Sequence, residues 1–552
     1  MKFKKAIIFL LALTLPLGIL VGCGSRENDE ILEGDLNPKK TINLTTSAIK
    51  TIDSVKATDE ASFNIIQNTQ ETLLVYKENK PIIGAAKDYK VSEDGKTYTF
   101  HLRDNLKWSD GKNITSNDFK YAWLRLLNPD TAASYSFFLY GVKNAEDYNS
   151  GKVNAEDVGI YTPDDKTLVV ELENPVAYFN QLVAFPALSP LRQDIVESEG
   201  DRYGTDPTKL VYSGPFMISN WQRGSKIKLV KNPNYWDVNN VDLDLVNFQQ
   251  ITETNTAYQM FLSKQLDAIF VKGDFLAKLE EGAKSGKWNE VVENAPSIFY
   301  NMYNVSGKNK LLTNPKIRLA LSIATNREEY TEKILKSNMP AYGLVPYGIS
   351  VGKYDYREKV KQPLKDVMNE DSKELFIEGL KELGLDTDPS KYTFKYLLQG
   401  SDSAMKVQGE YVQNILNKVI GVNIELVPSA DFSDFLTKQD NGEFDIATSG
   451  WGGDYNDPMT FLELFSSNNP NNSGKYSNPR VDELLKKLET ETDINKRLEM
   501  YKEIEYIEVV KDPVGSPIYY KEIYSFQNKN VSGLELMQFG GTYQLRWTKV
   551  NK

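Results

Sequence analysis

YKVSEDGKTYTFHLRDNLKWSDGKNITSNDFKYAW, residues 89–123, is the stretch from which the fold is read. Within it Tyr98-Thr-Phe-His-Leu102 alternates large apolar and polar side chains, the period of a half-buried strand. Ser92-Glu-Asp-Gly95 ahead of it is a turn between two such runs, so a hairpin is expected. Trp108-Ser-Asp-Gly111 reads as a second tight turn. Thr115 to Phe119 then starts a helix that Ser116 to Asp118 can cap. His101, the sole histidine, falls in the strand, where an isolated imidazole is a packing or surface residue.

Outward from this stretch the same alternation recurs in Thr41-Ile-Asn-Leu-Thr45, Thr167-Leu-Val-Val-Glu-Leu172 and Ile227-Lys-Leu-Val230. Helical patterns separate these strands over Asn117–Leu127, Asn314–Thr325 and Met405–Leu416, with Asn314-Pro315 setting a proline near the helix start. Strands and helices in this alternation predict α/β and α+β lobes. A chain of 552 residues exceeds one core, so two or three lobes are expected.

The first residues set the compartment. Lys2, Lys4 and Lys5 precede an apolar run, Ala6 to Val21, that falls short of the roughly 20 residues of a spanning helix. It ends in small residues, as a secretory signal does. Leu20-Val21-Gly22-Cys23 resembles a bacterial lipobox, in which the cysteine thiol is lipidated and the chain is cut just before it. Cys23 is the only cysteine, so no disulfide is available and an acyl anchor to the membrane is expected. Residues 24–39 are polar and read as a spacer. The net charge is −11, and losing the three signal lysines leaves −14, which argues against nucleic acid as a partner.

The quoted stretch closely resembles the signature of the peptide/nickel family (family 5) of extracytoplasmic solute-binding proteins. Further matches follow in the family's order: Ser213-Gly-Pro-Phe, Lys231-Asn-Pro-Asn-Tyr-Trp-Asp, Asn314-Pro-Lys-Ile-Arg-Leu-Ala-Leu, Gly450-Trp-Gly-Gly-Asp-Tyr-Asn-Asp-Pro and Pro517-Ile-Tyr-Tyr. The resemblance implies an α/β clamshell of three lobes, of the periplasmic-binding-protein type. Lobe I would be discontinuous over 40–75, 210–300 and 517–552, lobe II inserted at 76–209, and lobe III at 301–516. It also implies an oligopeptide ligand held between lobes, and transfer to the permease of an ABC importer by a lipid-anchored monomer on the outer face of the cell membrane.

Phe444 to Gly450 reads as a strand running into Gly450, Gly452 and Gly453, which allow close backbone approach. Asp454 follows. The resemblance implies that this acid receives the α-ammonium of the peptide, while Gly450, Trp451 and Gly452 pair with its backbone. A buried ammonium needs such a carboxylate. Asp457, before Pro458, is the better capping candidate. The opposite wall is expected from the extended segment Ala57-Thr58-Asp59-Glu60. Tyr135 and Phe432 fall where the family places aromatic pocket residues, though core packing accounts for them equally well. Cations that hold the peptide carboxylate in some relatives are replaced here by Thr448 and Gln439, with Lys438 the only near cation. Unless another cation takes their place, the peptide C-terminus is not fixed by charge.

No cofactor or metal is implied. One histidine and one cysteine provide no Cys-His pair and no zinc cluster, no Ser-His-Asp set stands out, and no G-x-x-x-x-G-K-[ST] loop occurs. An enzyme is therefore not expected. A nickel chelate, haem or sugar binder on the same fold, or a peptide-signal receptor, remains the alternative.

Overall fold

A computed structural model describes residues 38–251, 253–469 and 471–551. Cys23 and nearly all of the spacer lie outside the described residues. Its last two, Pro38 and Lys39, open a short turn, Pro38–Lys40, that leads directly into the first strand.

Three sheets organise the chain. The first is four-stranded, in the order Thr41–Thr46, Leu245–Gln250, Lys226–Lys231, Phe216–Gln222, with only the first pair parallel. The second is an antiparallel sheet of Ala86–Val91, Thr97–Leu102, Thr167–Glu171 and Ile160–Asp164. The expected hairpin is here. Gly95 takes φ +71° and the Ser92 hydroxyl accepts the Thr97 N–H at 2.9 Å, closing the turn as its residues require. His101 projects from the half-exposed side of this hairpin and contacts Asp88. Gly111 closes the second turn at φ +87°. The helix Ser116–Leu127 follows, with the Asp118 carboxylate accepting the Thr115 N–H at 2.7 Å.

The third sheet is the largest. Its two longest strands, Trp288–Tyr303 and Gly515–Asn528, run antiparallel beside each other. Their register breaks at a bulge between Asn294 and Ile298, where Ala295, Pro296 and Ser297 fall out of step with the partner strand. Before the bulge, Ala268–Phe270 flanks the pair. Beyond it, Ile446–Gly452 joins on the other edge, followed by Thr393–Leu398 and Asn423–Pro428, the last two pairings parallel. The helices Pro315–Ile323, Ser372–Glu382 and Ser403–Val419 cover this end and bury Ile317, Phe376, Phe394 and Leu416 in one apolar cluster. Asn314 caps the first of them, with its side-chain oxygen accepting the Lys316 N–H at 2.9 Å.

Buried ion pairs tie distant segments together. Arg125 grips Asp53 with two nitrogens, at 2.8 and 2.6 Å, and Arg546 does the same to Glu71. Such pairs bring remote chain segments into a fixed geometry because breaking one leaves an uncompensated buried charge.

Candidate functional site

The strand Ile446–Gly452 decides the geometry. On one side it pairs along its whole length with Ser297–Tyr303, while on the other it pairs only through Ile446 and Ala447 with Tyr396 and Leu397. From Thr448 onward that second edge carries no strand, which is the condition for adding one. Phe299 lies opposite Gly450, and a Cβ on Gly450 would stand 2.8 Å from the Phe299 ring. Tyr519 stacks on the other face of that ring at 4.6 Å and 7°, so the ring has little freedom to yield. Gly452 differs: a Cβ there would meet nothing closer than Ser297 Oγ at 3.5 Å.

Past the strand the backbone is pinned. The Gly453 N–H donates to Pro296 O at 2.7 Å, and the Asp454 N–H donates to Thr460 Oγ1 at 3.1 Å. Asp457 anchors the loop from within. Its carboxylate accepts the Met459 N–H at 3.0 Å, faces Arg497 at 3.2 Å and bonds the Tyr501 hydroxyl, all in the buried interior. Tyr455 stacks on Tyr178 at 4.4 Å and donates to Glu463 at 2.9 Å. Gly453, Tyr455 and Asp457, which flank Asp454 in the loop, are thus committed. The Asp454 carboxylate itself has no hydrogen bond or ion pair among the described residues. Burial pushes its pKa up to about 6.

Asp454 opens onto a cleft of about 340 Å³ at the strand bulge. Thr58, Glu60, Tyr135, Gly452 and Asp454, all expected from the sequence, line it together. Tyr135 packs edge-on against Phe63 at 5.5 Å and beside Phe185 at 5.2 Å, and both of those rings also reach the cleft. Burial raises the Tyr135 hydroxyl to about 12, with the Asp454 charge adding to the effect.

Other expected residues lie elsewhere. Asp59 is the N-cap of the helix Glu60–Thr69, accepting the Ser62 N–H at 2.9 Å, and it faces a neighbouring cavity of about 400 Å³. The expected extended wall therefore becomes a helix start at Glu60, because Asp59 satisfies the first-turn donors. Strand alternation puts Trp451 on the face opposite Gly450 and Gly452, where it packs half-buried on the core with its indole N–H unpartnered. Gly450 forms the strand floor rather than the cleft lining. Phe432 is 58% exposed, stacked on Phe435 at the start of its own helix, away from the cleft. Lys438 is paired with Asp434 at 2.7 Å, and the Gln439 side chain donates to Ser449 Oγ at 2.9 Å.

Sequence reasoning missed Lys521, which lines the cleft from the strand Gly515–Asn528. The signal was available: Lys521 directly follows Pro517-Ile-Tyr-Tyr520, and alternation from Tyr519 puts it on the same face. Phe63 and Phe185 were also missed, since their approach to Tyr135 depends on tertiary packing alone.

Residues 80–473 match the family model described as bacterial extracellular solute-binding proteins, family 5 middle. The chain belongs to this family. It is 33% identical over 99% of both chains to a dipeptide-binding protein of Lactococcus lactis subsp. cremoris, and 33% identical to the oligopeptide-binding protein OppA of Bacillus subtilis, over 98% of this chain and 99% of that one. Among solved structures it resembles Listeria monocytogenes OppA bound to peptide, at a TM-score of 0.72 and 32% identity, over 94% of this chain and all of that one. The substrate-binding domain of an oligopeptide ABC transporter from Bacillus anthracis gives a TM-score of 0.73 at 34% identity, with the same coverage. The α/β clamshell expected from the sequence is thus the fold of this chain.

Proposed function

We propose that this chain is an extracytoplasmic oligopeptide-binding protein that captures peptides at the Asp454 cleft and delivers them to an ABC importer. One observation carries the assignment to the site: a carboxylate that burial makes costly to ionise, with no partner among the described residues, at the end of a strand whose outer edge carries no strand from Thr448 onward. A peptide supplies what both lack. Its α-ammonium compensates Asp454, and its backbone satisfies the free edge without regard to side chains. The names of the relatives, dipeptide- and oligopeptide-binding proteins, support the same ligand class.

The lobes are assigned as 40–75, 210–300 and 517–552 for lobe I, 76–209 for lobe II and 301–516 for lobe III. The hinge then falls on the paired strands Trp288–Tyr303 and Gly515–Asn528, beside their bulge. Closure about such a pair of strands would enclose the ligand. The protein works as a monomer, without catalysing a reaction, and is held to the membrane by acyl chains on Cys23. Mass spectrometry of ligand released by unfolding the purified protein tests the assignment. Mixed peptides are expected, whereas a metal chelate or sugar in their place would overturn it.

A further inference from the structure

The cleft carries charges of both signs. Lys521 is the only cation among its described lining residues, and its ammonium makes no ion pair or hydrogen bond among the described residues. Strand alternation sends Tyr519, Lys521 and Ile523 to one face, and Lys521 and Ile523 both reach the cleft. On the neighbouring strands that face carries Phe299 with Gly450, and Ser297 with Gly452. Lys521 stands across the bulge from Ser297, so two strand spacings, about 10 Å, separate its Cα from that of Gly452. Asp454 lies two residues past Gly452. A four-methylene stem on Lys521 therefore brings a positive charge back toward the place where a ligand ammonium meets Asp454. The other acid of the cleft, Glu60, is engaged by the Thr542 hydroxyl.

Resting on the peptide assignment, we infer that Lys521 is a specificity-determining residue that receives a ligand carboxylate close to the bound N-terminus. The cleft then favours peptides with an acidic side chain in the first two residues, or dipeptides whose own C-terminal carboxylate reaches the same point. Lys521 thus takes the place of the cation that Thr448 and Gln439 do not supply. Its partner comes with the ligand, which explains an exposed lysine left unpaired in a cleft that also holds two acids. A charge-assisted bond at a site that closes over its ligand outweighs the same pair in water.

Titration calorimetry of the ligand-stripped protein reads this out. The probes are tetra-alanine amide and dialanine, the latter as free acid and as amide. Four further tetrapeptide amides carry a glutamate, or its neutral twin glutamine, at the first or the second position. In the wild type at least one carboxylate-bearing probe binds about tenfold tighter than its neutral twin. The side-chain and C-terminal sources are told apart by which pair shows the gain. Lys521→Met reduces the gain within each carboxylate/neutral pair to within about twofold, the ratio being read whatever the affinity of the neutral probe becomes, and Lys521→Arg retains it. Equal binding within every pair, or a gain that persists in K521M, overturns the inference. N-acetylated tetra-alanine amide separates this failure from that of the parent assignment. If acetylation weakens binding while the carboxylate pairs match, only the role of Lys521 falls. If acetylation changes nothing, or no probe binds, the peptide assignment falls with it.

Discussion

Asp457 meets the guanidinium of Arg497 at 3.2 Å in the buried interior, while Asp454, three residues before it, meets no cation among the described residues. The two acids belong to one loop and serve opposite ends. Asp457 holds the loop, and in the proposed binding mode Asp454 is left for the ligand.

Replacing Asp454 with Asn therefore removes function without harming the fold. Peptide affinity is expected to fall by a factor of about 30 or more, the effect of losing one partner of a desolvated charge pair. The ligand-free protein is expected to gain about 1–2 °C in melting temperature at pH 7.5, because an uncompensated charge is removed. Calorimetry and thermal unfolding of the same preparation check both.

Asp457→Asn has the reverse profile. It leaves Arg497 charged and buried beside Tyr501, at a cost of about 3–5 kcal/mol. Urea unfolding of the ligand-free protein measures this loss directly.

Gly450 and Gly452 separate space from access. Gly450→Ala drives a methyl into a Phe299 ring that Tyr519 holds from behind, and should destabilise by about 1–3 kcal/mol. Gly452→Ala meets only Ser297 Oγ at 3.5 Å, so the fold should be nearly unaffected. Its methyl stands where the ligand backbone approaches, so binding should weaken by about tenfold or more. Melting temperatures and peptide titrations on the two variants distinguish these outcomes.

Binding is expected to depend on pH in a defined direction. Burial raises Asp454 to about 6, and an ammonium partner would lower it again, so the ligand prefers the ionised form. Affinity should be greatest near pH 7, weaken as pH falls through 6, approaching tenfold per unit, and weaken again above about pH 8 as the ligand's α-ammonium loses its proton. Glu463, raised to about 7 chiefly by burial and eased by the Tyr455 hydroxyl, titrates just above it. For both acids the folded pKa exceeds the unfolded one. Their protonation therefore stabilises the ligand-free fold as pH falls from about 7 toward 5, while binding is being lost. D454N should flatten the binding profile below about pH 6.

Much of this was legible in the sequence because it is local. The 92–95 turn, the Thr115–Asp118 helix start, the Asn314-Pro315 cap and the strand into Gly450 each follow from a few adjacent residues, and each appears where expected. Asp454 was singled out by the resemblance of Gly450-Trp-Gly-Gly-Asp454 to the family's motif, where glycines and an acid stand together in one loop. What was not legible is what tertiary packing creates. Asp59 reads as part of an extended wall until the helix behind it claims its carboxylate. Phe432 reads as a pocket aromatic until its helix places it in solvent. Lys521 reads as an ordinary strand lysine until a bulge in a strand far away in sequence brings it beside Ser297.

The proposed role of Asp454, receiving a ligand ammonium, underlies everything said of the cleft. Calorimetric titration of tetra-alanine with a free and with an acetylated N-terminus, against the wild-type protein at pH 7.5, tests it most directly. Weakening by a factor of about 30 or more on acetylation is predicted, with D454N insensitive to the change. Equal affinity of the two peptides for the wild type would contradict it.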